Sequence, residues 1–160
     1  MKALTLLTIA ALTQAPWAAA QDLRPDRRLA ERQFADIDAD DDGRLAPDEF
    51  AAYGDLVFVS MDSDESGDLA EEEFTSWGFG MRNLADAAGA RQGYDTAVRL
   101  VFDLWDRDND GAVLLDEQRD AQGMAFAFAD ADEDGTLGTA EFADNYILNV
   151  ALRTALTATP

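Results

Sequence analysis

At four places in this chain, oxygen-bearing side chains recur on alternate residues, a glycine follows at once, and a glutamate closes the stretch six residues later. The first reads Asp38, Asp40, Asp42, Gly43 and Glu49, and the second Asp62, Asp64, Ser66, Gly67 and Glu73. The third is Asp106, Asp108, Asp110, Gly111 and Glu117, and the fourth Asp130, Asp132, Asp134, Gly135 and Glu141. Alternation turns the three oxygens toward one point, and glycine allows the sharp bend after them. Past the bend, the backbone carbonyls of Arg44, Asp68, Ala112 and Thr136 fall where each could add another oxygen, and the glutamate is long enough to add two. The chemistry such a set can do is to wrap a hard cation in six to eight oxygens, a shell wide enough for calcium and too loose for the tight octahedron of magnesium.

The flanks repeat with the loops. Leu45, Leu69, Val113 and Leu137 each stand two residues after a glycine. Phe34, Phe58, Phe102 and Phe126 each precede a loop by four residues, and Phe50, Phe74 and Phe142 directly follow three of the closing glutamates; Gln118 breaks that last rule. Pro47 sits where a helix would leave the first loop, a place that tolerates a missing N–H. Together these residues resemble the EF-hand family. The resemblance implies an all-α fold of helix-loop-helix repeats, up to four Ca2+ ions, and a short strand contact between paired loops at the apolar position after each glycine.

Moving the chain by 68 residues lays Phe34 on Phe102, Asp38 on Asp106, Glu49 on Glu117, Asp62 on Asp130 and Phe74 on Phe142. The chain is therefore a duplication, with a first unit over 21–80 (loops 38–49 and 62–73) and a second over 94–160 (loops 106–117 and 130–141). The intervening 81–93 reads as a linker or hinge, or as an extension of the helix leaving the second loop, with a helical piece from Met81 to Ala88. Asp26 to Ile37 and Tyr94 to Trp105 read as helices entering loops one and three. Phe142, Tyr146, Ile147 and Val150 mark an apolar helical face after loop four.

Twelve residues separate Glu49 from Asp62, and twelve separate Glu117 from Asp130. That is room for one helix, which holds consecutive loops about 18 Å apart at its two ends. Neighbouring loops then cannot easily pair, and the arrangement predicted is loop one with four and two with three. Gly54 and Gly123 fall mid-helix, where a kink would restore the ordinary pairing of neighbours.

Residues 1–20 have a positive start at Lys2, an apolar run from Ala3 to Thr13 and the small residues Ala18, Ala19 and Ala20 before Gln21, the pattern of a secretory signal peptide. Cleavage there places the mature protein in the periplasm or outside the cell. With Lys2 removed, eleven arginines face 33 acids and leave a net charge of −22, which opposes binding to nucleic acid or anionic lipid. There is no cysteine, hence no disulfide framework and no lipid-attachment site, and no membrane anchor is expected. Empty, the clustered carboxylates repel one another, so the metal-free protein is expected to be loosened.

Histidine is absent as well, which removes the usual general base and zinc ligand along with the thiol nucleophile. Ser60, Ser63 and Ser76 have no histidine to activate them, and no enzyme is expected. Trp77 and Trp105 read as core, as do Met61, Met81 and Met124.

Close loop spacing, a leader and four loops together resemble the lanmodulin family of periplasmic lanthanide-binding proteins. Two positions depart from that pattern: the second loop residue is Ala39, Ser63, Arg107 or Ala131 rather than proline, and the ninth is Ala46, Ala70, Leu114 or Gly138 rather than aspartate. Fewer charges per site favour calcium over a trivalent ion, with lanthanides still able to enter. Loops two and three, with Ser66 and Leu114, are expected to bind most weakly. The functional expectation is an exported calcium sensor or buffer; the alternatives are a calcium-stabilised adaptor that binds another exported protein and a lanthanide-binding periplasmic protein.

Overall fold

The computed structural model describes residues 25–157, and the expected leader over 1–20 lies outside them. Among the described residues the chain is mostly helical, with two small antiparallel sheets. Helix α1 (Pro25–Ile37) enters the first loop, whose far side forms strand β1 (Arg44–Leu45). Helix α2 (Pro47–Met61) leads directly to the second loop, β2 (Asp68–Ala70) and the short α3 (Glu71–Ser76). After α4 (Arg82–Ala88), α5 (Arg91–Trp105) enters the third loop with β3 (Ala112–Leu114). Helix α6 (Leu115–Ala129) leads to the fourth loop with β4 (Leu137–Gly138), and α7 (Thr139–Asn145) and α8 (Ile147–Thr157) complete the order.

Each closing glutamate is also the third residue of the helix that leaves its loop, and its carboxylate turns back to the N–H preceding the helix. Ala46 donates to Glu49 at 2.9 Å, Ala70 to Glu73 at 3.1 Å, Leu114 to Glu117 at 2.9 Å and Gly138 to Glu141 at 2.9 Å. The same side chain thus satisfies an orphan helix donor and fixes the end of the loop.

Strand β1 pairs with β4, placing Leu45 opposite Leu137, and β2 pairs with β3, placing Leu69 opposite Val113. All four of these side chains are fully buried. The crossed pairing expected from loop spacing is therefore what forms: α2 and α6 are single uninterrupted helices, each carrying one loop at either end. Gly54 does not kink α2. It lets α2 and α6 lie against each other, because a Cβ there would collide with the amide of Gln122. The two helices run antiparallel, with Gln118 Nε2 donating to the Gly54 carbonyl at 2.8 Å and Arg119 holding both oxygens of Asp55 at 2.9 and 2.7 Å.

Two apolar clusters follow from this pairing. One gathers Phe34, Phe50, Phe126, Phe142 and Tyr146 behind loops one and four. The other gathers Phe58, Phe74, Phe79, Tyr94, Phe102 and Trp105 behind loops two and three. Each draws on both copies of the duplication. All seven phenylalanines singled out by spacing are buried.

Four expectations need correction. The segment from 81 to 88 does not extend α3, which ends at Ser76; Gly78, Phe79 and Gly80 all take positive φ, and α4 then packs with Met81 and Ala85 buried. The apolar face after loop four is broken at Tyr146, whose extended backbone ends α7; Ile147 is exposed, while Asn149 turns inward and donates to the Phe142 carbonyl at 3.0 Å. Trp77 is 42% exposed rather than core. Met124 lies on the open face of α6 and is exposed, whereas Met61 and Met81 are core as expected.

Candidate metal centres

In each loop the first, third and twelfth residues converge. One oxygen from each of Asp38, Asp40 and Glu49 lies within 4.8 Å of the others, and the same holds for Asp62, Asp64 and Glu73, for Asp106, Asp108 and Glu117, and for Asp130, Asp132 and Glu141. Local backbone geometry explains why. The glycine at position six has φ of +81° (Gly43), +88° (Gly67), +94° (Gly111) or +86° (Gly135), and its N–H donates to the first aspartate at 2.9, 2.9, 3.0 and 2.9 Å in chain order. The N–H of the fifth residue donates to the other oxygen of that aspartate. Each first aspartate is thereby locked facing the centre of its loop.

One feature of the loops was missed by spacing alone. The fourth residue, Asp41, Glu65, Asn109 or Glu133, also takes a left-handed backbone, with φ of 57° to 60°. Asparagine and aspartate tolerate this conformation better than most residues, while glutamate does so at some cost. Composition at that position was the available signal.

The closing glutamates span their loops. The second oxygen of each accepts the N–H of the second loop residue: Ala39 at 2.8 Å, Ser63 at 2.7 Å, Arg107 at 2.9 Å and Ala131 at 2.9 Å. Such donors favour the ionised form. The pKa of Glu49 is lowered chiefly by the Ala46 N–H and then the Ala39 N–H, that of Glu73 chiefly by the Ser63 hydroxyl and then the Ser63 N–H, and that of Glu117 chiefly by the Leu114 N–H. These carboxylates are held charged and pointed before any cation is considered.

The aspartates at the fifth position stand apart from the triads. Asp42, Asp110 and Asp134 accept the N–H of the seventh residue at 2.8, 3.0 and 3.0 Å. Ser66 accepts the equivalent N–H at 3.5 Å, and its hydroxyl also lies 3.1 Å from the Asp68 carbonyl and 3.5 Å from Asp62 Oδ1. Asp134 has a further partner from another loop: Arg44 pairs with it across the β1–β4 sheet and donates Nε to the Thr136 hydroxyl at 2.6 Å. Arg107 turns away from its own triad to Asp120 at 2.6 Å.

The donor set is all oxygen and mostly anionic, with neither nitrogen nor sulfur, which suits a hard cation and disfavours softer transition metals. The fold and these centres define a mostly helical acidic protein with four carboxylate groups, each able to hold a metal ion. No family model and no curated protein matches the chain. Among the described residues no helix is long and apolar enough to cross a membrane.

Proposed function

We propose that this is an exported EF-hand protein that binds calcium in four loops and serves as a calcium sensor or buffer. The observation that carries the reading is the fourfold recurrence of one geometry: a triad at the first, third and twelfth positions, a left-handed glycine at the sixth, and an antiparallel strand contact at the eighth. In this reading the side chains of positions one, three, five and twelve and the carbonyls of Arg44, Asp68, Ala112 and Thr136 form the shells. Bound calcium would supply charge neutralisation, since four divalent ions add +8 to a mature charge of −22 and leave −14. Export rests on the leader pattern of residues 1–20.

Calorimetric titration of chelator-stripped protein tests it. The expected result is four calcium ions per chain, with Kd values between micromolar and millimolar, about 8 to 4 kcal/mol per site, and a rise in the circular-dichroism melting temperature. Absence of heat and an unchanged melt with added calcium would overturn the reading. A parallel titration with a lanthanide decides metal preference: the missing ninth carboxylates predict a smaller advantage for the trivalent ion than a site with five acidic side chains would have.

A further inference from the structure

Between the two aromatic clusters lies a partly open cavity of about 310 Å³, bounded by α1, α2, the Gly78–Gly80 turn, the end of α5 and the α7–α8 junction. It exists because the pairing is crossed: Phe50 and Tyr146 reach it from one cluster, Phe79 and Trp105 from the other, and the half-exposed Trp77 stands at its mouth. None of the described residues lining it carries a formal charge.

Neutral polar side chains line the cavity. Gln122 is 8% exposed and Tyr146 is 6% exposed, both line the cavity, and neither the amide nor the hydroxyl has a hydrogen-bond partner among the described residues. The Gln122 amide is pressed over Gly54, the one place on α2 where no side chain stands in its way. Burial among apolar neighbours keeps Tyr146 in its neutral, protonated form, so its hydroxyl is available to donate.

We infer that this cavity is a binding site for a small uncharged aromatic molecule bearing one or two hydrogen-bonding groups. Its volume is that of the smaller sites for organic ligands, and aromatic walls with a few neutral polar anchors are the usual lining of such sites. Rings of the ligand stack on or edge against Trp77, Trp105 and Phe79, and its polar atoms meet Gln122 and Tyr146. A charged ligand is disfavoured because the cavity offers no counter-ion to a desolvated charge, and an anion is repelled further by the acidic chain. The inference does not depend on which ion fills the loops.

The probe is N-phenyl-1-naphthylamine, which is uncharged, has two aromatic units and one N–H, and brightens in apolar surroundings. Added to the full chain in calcium buffer, it is expected to show saturable 1:1 enhancement with matching quenching of tryptophan emission. Its sulfonated relative, 8-anilinonaphthalene-1-sulfonate, is expected to bind at least about tenfold more weakly. Trp77→Ala, at a half-exposed side chain, is expected to weaken the neutral dye by about tenfold, and Gln122→Leu by about threefold to tenfold, the loss of one hydrogen bond. Thermal melts verify that both variants fold. Val57→Trp, which fills the cavity, is expected to abolish binding, and the first two variants decide the matter should it fail to fold. Non-saturable enhancement, tighter binding of the sulfonate or of a cationic aromatic amine, or unchanged dye affinity in folded Trp77→Ala and Gln122→Leu would each overturn the assignment.

Discussion

The loop pair formed by one and four and the pair formed by two and three share a register yet differ in what faces the strand contact. At the seventh position the first pair has Arg44 and Thr136, and Arg44 reaches across to Asp134. The second pair has Asp68 and Ala112 there, with no cation crossing the sheet among the described residues. Behind the sheets, four phenylalanines and Tyr146 interlock in one cluster, with Phe50 edge-on to Phe126, Phe142 and Tyr146. In the other, Gln118 takes the fourth phenylalanine position, and Phe74 finds Phe79, Phe102 and Trp105 instead. A repeat can thus keep its carboxylate triads and vary what lies one layer behind them. Variation there tunes charge and packing without disturbing the triads.

The largest expected effect tests whether the two clusters are separate. Phe74 is fully buried, and Phe74→Ala should cost about 3–5 kcal/mol. Because α2 and α6 each run from one cluster to the other, the loss should lower a single transition for the whole chain. Calorimetry resolving two transitions, with only one of them moved, would make the pairs independent domains.

Next in size is an alkaline effect shared by both clusters. Tyr94, in the second cluster, donates to the Gly78 carbonyl, and burial pushes its pKa up to about 12; Tyr146, in the first, is raised by burial as well. A tyrosine whose folded pKa lies above the ordinary value near 10 contributes stability that is complete below pH 10 and is lost as pH rises through the folded value. Denaturant melts should therefore weaken progressively from pH 10 to 12, with phenolate absorbance appearing alongside unfolding. Phenolate absorbance rising near pH 10 in fully folded protein would contradict the burial of these rings.

Arg44→Ala sharpens the contrast between the loop pairs. The Arg44–Asp134 pair is exposed, so its own worth is about 0–1 kcal/mol. Removing it frees Asp134 and takes a cation from beside two clusters of acids. Calcium affinity of the first pair should rise by about threefold while the second pair is unchanged, and stability without calcium should fall slightly. Weaker calcium binding in the variant would show instead that Arg44 holds Asp134 in its productive position.

The smallest change is expected from Gln118→Leu. Gln118 Oε1 is buried without a partner among the described residues, and the Gly54 carbonyl that its amide reaches also has a partner within its own helix. An apolar side chain of similar size should leave stability within about 1 kcal/mol, on the stabilising side. A loss of several kcal/mol would mean that the amide is required to set the α2–α6 contact.

Much of the candidate site was legible because its causes are local. The alternation from Asp38 to Asp42, the left-handed Gly43 and the return of Glu49 lie within twelve residues, and backbone sterics dictate their convergence. The crossed pairing was legible by subtraction, since twelve residues between loops leave no space for two helices. By contrast, Gly54 looked like a kink and is a contact, because its neighbour Gln122 is remote in sequence. Trp77 and Met124 looked like core, since apolar type alone does not say whether a partner covers the residue.

The sequence by itself determined the four carboxylate loops, the buried phenylalanines and the helices between them, because each follows from spacing within one or two turns of chain. Tertiary structure alone decided that Arg44 meets Asp134, that Gln118 replaces a ring against α2, and that a cavity opens between the two clusters. Those features depend on which helices come together, and that choice is made by the summed burial of distant side chains rather than by any short stretch of the chain.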